Sequence, residues 1–248
     1  MNNRILGLLT MTALLLSVTA TEVAQAAEGP FWKVKEKRLE AGEEKIKGEA
    51  DESFVLKVTG ITVTCKTLSF NAAANIKGNT GKNSATSAET ITFSGCSVSG
   101  NGEGCLVENE KIETEPLTNV LAYEKADRTA FILVEFKPTK GEAFAVIKFK
   151  PELGHTCTVN KTTVEGSAVA AYAVTEVGSE VIPVGPGKEA VVIGVKFPGV
   201  TVTKDFIENG GVITEIKPGL KAFGKEATLE GLADIELEGK VKWTPATE

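Results

Sequence analysis

The sequence predicts an all-β fold: an antiparallel β-sandwich, with a jelly-roll-like arrangement or a barrel as the alternatives, of roughly a dozen strands stapled by disulfides. Short runs rich in Val, Ile, Thr and Phe recur between Gly, Asn and Pro, and helical periodicity is scarce. Several runs alternate strictly. Val191, Ile193, Val195 and Phe197 share one face with Gly194 and Lys196 on the other, and Ile235 and Leu237 alternate with Asp234, Glu236 and Glu238, the pattern of half-buried strands. The third observation is an even set of four cysteines, Cys65, Cys96, Cys105 and Cys157, downstream of an export signal.

The signal comes first. Arg4 supplies a basic start, residues 5–18 (ILGLLTMTALLLSV) an apolar run, and Ala24 and Ala26 the small-x-small pattern of a cleavage site. Thr19, Thr21 and Glu22 end the run well short of the ~20 apolar residues of a membrane-spanning helix. Residues 1–26 therefore read as a signal peptide and 27–248 as a single secreted domain, with no cysteine at the cleavage site to take a lipid. Residues 33–52 carry six positive and seven negative charges, read as a solvated edge hairpin.

Strands are expected at 44–49, 53–58, 61–66, 89–94, 111–114 and 118–123. AFILVEF (130–136) and AFAVIKF (143–149) are apolar on both faces, and the PTKGE between them is short enough for a central hairpin. Further strands fall at 156–160, 191–197, 212–216, 226–230, 234–238 and 240–243. EGSAVAAYAV (165–174) mixes helix-favouring alanines with Val169, Tyr172 and Val174 and reads as a strand; PVGPGKE (183–189) reads as a loop within the domain.

In an exported chain the cysteines read as two disulfides rather than a zinc site or a catalytic thiol. Cys96 and Cys105 flank the Gly/Asn-rich turn Gly100 to Gly104, which places them across a hairpin and leaves Cys65 to Cys157. Period-two counting turns both remaining thiols toward the core, since Cys65 shares a face with Ile61 and Val63, and Cys157 with Val159.

FWKVKEKRLEAGEE after the signal, the VTCKTL strand, TITFSGC followed by GNGEGC, and IETEPLTNVLAY together resemble an uncharacterised family of secreted, β-rich bacterial proteins with no assigned activity. The likeness spans most of residues 31–172 and rests on order and spacing. It implies export and a β-rich fold, and transfers no functional residue.

Composition narrows the chemistry. The single histidine, His155, lies two residues from Cys157, and that pair holds the ingredients of a cysteine nucleophile; export assigns the sulfur to a disulfide instead. No G-x-S-x-G elbow accompanies His155. One histidine cannot furnish the ligands of a zinc site, and no D-x-[DN]-x-[DN]-G calcium loop occurs. A net charge of −6 and three arginines disfavour nucleic acid. A glycoside hydrolase needs only two carboxylates, but 29 glutamates hide any pair, and Trp32 and Trp243 read better as a clasp joining first and last strands than as a sugar platform.

The expectation is a secreted or extracellular protein, possible cell-wall association included, without enzymatic activity and with a structural or interaction role at the envelope. No cofactor or metal is expected, and no membrane span after cleavage; the partner is unknown. An extracellular module binding an apolar or carbohydrate ligand is the first alternative, a secreted carboxylate-dependent glycoside hydrolase the second.

Overall fold

The computed structural model describes residues 29–102, 104–128, 131–175, 181–183, 189–200 and 204–247; the signal segment 1–26 and most of the 183–189 loop lie outside them. The fold is all-β and disulfide-stapled, and its centre is a closed barrel. Glu43–Ala50 pairs with Lys225–Leu237, then Val192–Pro198, Lys161–Thr175, Ile132–Pro138, Leu117–Tyr123, Thr86–Glu89 and Asn75–Lys77 follow, and the last pairs back with Glu43–Ala50. Every pairing is antiparallel. Alternation dictates the inside: Ile46, Leu121, Val134, Val195 and Ile235 are buried, while Lys47, Glu49, Asp234 and Glu236 line an outer depression.

The barrel replaces the expected sandwich. A period-two pattern buries one face equally well in two stacked sheets or in one sheet that closes, and closure removes the unpaired edges a sandwich leaves. That choice depends on the return of Asn75–Lys77 to Glu43–Ala50, a pairing across a polar stretch in which the sequence shows no strand.

Two barrel strands are long, Lys161–Thr175 with 15 residues and Lys225–Leu237 with 13, and both continue into a second sheet. Its order is Ser97–Gly100, Ile61–Cys65, Phe54–Val58, Lys225–Leu237, Gly219–Ala222, Lys161–Thr175, Ala143–Pro151 and Cys105–Val107. The two edge strands are separated by only four residues of chain, so the sheet must curl until its edges approach. Gly166 permits the crossing from one sheet to the other. Its φ is +98°, and a Cβ there would lie 2.1 Å from the carbonyl oxygen of Gly219, a close approach only glycine tolerates.

The central hairpin is not formed. Ile132–Pro138 pairs with the 168–171 part of the long strand and Ala143–Pro151 with its 161–165 part, both antiparallel to it. They therefore point the same way and lie end to end. PTKGE is an excursion within one interrupted strand, anchored where the Gly166 N–H donates to the Glu142 carbonyl. A short polar linker between two apolar runs looks the same in sequence whether the chain reverses or resumes its course. The segment 165–174 is a strand, as its β-branched residues indicate.

The charged stretch 33–52 is also not one edge hairpin. Phe31–Val34 and Lys37–Arg38 form a small hairpin, but Glu43–Ala50 is paired on both sides within the barrel, its charges facing outward. Residues 156–160 carry no strand, because the Cys157 segment is held by its disulfide instead of by a ladder. Among the described residues no helix is long and apolar enough to cross a membrane.

Both disulfides form, with partners exchanged relative to the expectation: Cys65 joins Cys96, and Cys105 joins Cys157. Ser97–Gly100 pairs with Ile61–Cys65, not with Cys105–Val107, so Cys96 emerges beside Cys65. Cys105 meanwhile opposes Pro151, six residues before Cys157. The Gly-rich turn connects two strands that belong to opposite edges of a curled sheet, and the two bridges bracket those edges. The loops closed span 31 and 52 residues, and replacing Cys65 and Cys96 by serine is expected to cost about 2–4 kcal/mol, measured as a lowered urea midpoint. An unchanged midpoint would show that the bridge constrains nothing.

Candidate functional site

The sites singled out in the sequence resolve into structural parts. Cys157 Sγ is bonded to Cys105, and His155 is exposed on a turn, so the thiol–imidazole pair is not a nucleophile. Trp32 and Trp243 form the clasp: Phe31–Val34 pairs with Trp243–Ala246, and the two indole rings lie 5.8 Å apart, each 1% exposed. Tyr172 from the barrel packs edge-on against both rings, and the Trp32 indole N–H donates to the Thr86 carbonyl at 2.9 Å. Rings sealed in this way present no face to a sugar. Among the described residues no group of three or more His, Cys, Asp or Glu side chains is placed to hold a metal ion.

Beside the clasp the barrel wall carries a polar node. Asn119 Nδ2 donates to Ser87 Oγ at 2.8 Å and to Glu89 Oε1. All three side chains are buried, and Glu89 Oε2, Asn119 Oδ1 and the Trp243 indole N–H have no hydrogen-bond partner among the described residues. Burial pushes the Glu89 carboxyl up from 4.5 to about 8, and the hydrogen bond from Asn119 offsets only part of that rise. Burial likewise raises the Tyr172 phenol, with the Glu89 charge acting in the same direction. At neutral pH Glu89 is a neutral acid inside the barrel.

A stability prediction follows with a definite sign. Below pH 4.5 both folded and unfolded chains hold the Glu89 proton; between 4.5 and about 8 the unfolded chain releases it and the native chain does not. Stability from this group is complete below 4.5 and is lost as pH rises to 8. The loss is about 3 kcal/mol by pH 7. Glu89→Gln should remove it, so the variant's urea stability should gain on the parent by about 3 kcal/mol between pH 5 and pH 7.5. Parallel pH profiles for the two proteins would show that Glu89 does not titrate in this way.

Three concavities meet on the second sheet at the strand Gly219–Ala222. The first is a cavity of about 40 Å³ inside the curl, walled by Phe54, Phe93, Phe144, Ile112, Leu220 and Leu229. An apolar groove outside it is lined by Val169, Pro198, Val200, Pro218, Leu220 and Leu229. An open depression of about 470 Å³ lies beyond, with Glu142, Glu165, Glu226, Lys217 and Lys221 around Leu220. Leu220 belongs to all three walls, and Leu229 to the first two. The aromatic cavity is far smaller than the ~300 Å³ at which ligand pockets usually begin, whereas the depression is within that range.

Comparison of the chain with protein-family models, with curated proteins and with solved structures finds no match. The site is therefore read from its own residues. The sequence showed no strand at Gly219–Ala222, because GLKA is too short for alternation to register. The polar node left one legible mark: Asn119 interrupts the otherwise apolar face of Leu117, Leu121 and Tyr123.

Proposed function

We propose that the chain is an exported protein that acts outside the cell without catalysis, through a structural or interaction role at the envelope, as a member of the secreted β-rich family its sequence resembles. The observation that carries this reading is the pair of disulfides bracketing the curled sheet, since such bridges persist in oxidising compartments. The chemistry agrees. The sulfurs are committed to bridges, and Glu89, a carboxyl whose pKa burial raises, is closed inside the barrel and not aimed into a cleft where a glycosidic oxygen would need its proton.

A binding module is the second reading, favoured by the concavities around Leu220. Fractionating producing cells and isolating the mature chain with its companions tests the first. The expected result is a chain beginning near residue 27, outside the membrane, with one envelope component retained through stringent washing. Recovery of the full-length chain from the cytoplasm, or turnover of a polysaccharide by the purified protein, would overturn it.

A further inference from the structure

We propose that the Trp32–Trp243 clasp is a proton-controlled latch, shut over the barrel while the Glu89 carboxyl keeps its proton and released, with the barrel strands still paired, when that proton passes to solvent. Such a latch operates whatever role the chain has at the envelope.

Glu89 and the clasp share one set of buried side chains. Glu89 ends the strand Thr86–Glu89, and the Thr86 carbonyl of that strand accepts the Trp32 indole N–H at 2.9 Å. Tyr172 packs edge-on against both indole rings, at centroid distances of 5.8 and 6.3 Å, and its phenol feels the Glu89 charge. Among the described residues, Glu89 Oε2 and the Trp243 indole N–H have no hydrogen-bond partner. No cation faces the carboxyl. Leu117 stands directly opposite Glu89, Asn119 and Ile76 stand opposite Ser87, and the other barrel strands turn Ile46, Val134, Val195 and Ile235 inward. Tyr172 is the titratable group among these neighbours, and with its phenol raised it stays neutral wherever Glu89 changes state. Farther along Leu117–Tyr123, Tyr123 meets Glu208, whose charge Arg128 already matches.

An anion left in this interior has Asn119 as its donor and needs water for the rest. Lifting the clasp is the smallest rearrangement that admits it. Scattered bonds hold the clasp to the rest of the chain: Ala85 N–H to the Pro30 carbonyl, Asn79 N–H to the Leu39 carbonyl, Arg38 to the carbonyls of Asn79 and Gly81, Glu36 N–H to Glu189, and the Trp243 bridge to Ala190. Thr86–Glu89, by contrast, is laddered on both sides, and elements without such ladders open first. The sign follows from burial, which holds the carboxyl at about 8 when the clasp is shut against 4.5 when it is exposed. Closure is fully favoured below 4.5, and the open population climbs roughly tenfold per pH unit until the pH reaches the closed-state value, then levels.

Hydrogen exchange of the disulfide-intact chain from pH 5 to 8.5, expressed as protection relative to the intrinsic rate at each pH, reads the opening. Protection at residues 31–34 and 243–246 is expected to fall roughly tenfold per pH unit and to level near the top of the range, remaining below that of Leu121 and Val134 throughout. The two indole N–H groups, Trp32 and Trp243 being the chain's only tryptophans, should follow the same course by NMR. The outer hairpin Asp205–Asn209 with Val212–Ile216 should show no such trend. Glu89→Gln, which keeps the shape and cannot ionise, should flatten the clasp profile. Clasp protection that is constant or rises with pH, a trend that survives Glu89→Gln, or clasp amides that match Leu121 and Val134 at every pH would overturn the latch. If the variant does not fold, the pH series on the unmodified chain decides by the remaining outcomes.

Discussion

Arg128→Ala is expected to destabilise the protein by about 3–5 kcal/mol, the cost of leaving a buried carboxylate without its partner. Glu208 is that carboxylate. Its side chain is 0% exposed and accepts from the Arg128 guanidinium at both oxygens, Nη2 to Oε1 at 2.8 Å and Nε to Oε2 at 3.1 Å. The Tyr123 hydroxyl approaches Oε2 at 3.5 Å, and burial with the Glu208 charge raises that phenol well above its usual range. Arg128 sits in the turn after the barrel strand Leu117–Tyr123 at a φ of +63°, and Glu208 sits on the outer hairpin Asp205–Asn209 with Val212–Ile216. The pair joins that hairpin to the barrel wall beside the ladder position Tyr123 opposite Phe206, while the Ser84 N–H donates to the Glu208 carbonyl and the Gly211 N–H to the Lys82 carbonyl.

Because desolvating two charges costs as much as their attraction returns, the pair as a whole adds little net stability. The double change Arg128→Met with Glu208→Leu should therefore recover most of the loss. Urea denaturation of the two single variants and the double one gives the coupling directly. Losses in the single variants that simply add in the double would mean that the two side chains do not depend on one another.

Trp243→Ala should cost a similar amount, about 3–5 kcal/mol, through lost transfer energy and the cavity left behind. The indole touches both Trp32 and Tyr172 and is 1% exposed, so nothing can collapse into its place without moving the clasp. Among the described residues the Trp243 strand pairs with Phe31–Val34, apart from a bridge to Ala190, so the loosened element is the small sheet over the barrel and the barrel strands should stay protected. Hydrogen exchange should then show faster amides at residues 31–34 and 243–246, with Val134 and Leu121 unchanged. Uniform loss of protection through the barrel would show that the clasp and barrel unfold as one unit.

How much of this was legible varies with the physical origin of each feature. Alternating strands such as Val192–Pro198 and the C-terminal half of Lys225–Leu237 were readable because one buried face imposes period two on the residues. The Trp32–Trp243 clasp was readable from two large aromatics near opposite ends of an otherwise Trp-free chain. Pairing partners were not. Cys96 and Cys105 lie on opposite edges of a curled sheet because Ser97–Gly100 selects Ile61–Cys65, a long-range choice that local turn chemistry does not encode. The interrupted strand through PTKGE escaped for the same reason. The concavities at Leu220 depend on a four-residue strand bridging two long ones, and no local pattern announces a wall shared by three spaces.

Peptide mapping of the natively isolated protein without reduction tests the architecture most directly, since the curled sheet and its edges determine which sulfurs meet. Proteolytic fragments should contain Cys65 linked to Cys96 and Cys105 linked to Cys157, with no thiol open to alkylation. Fragments joining Cys96 to Cys105, or free thiols in folded material, would contradict the arrangement of strands described above.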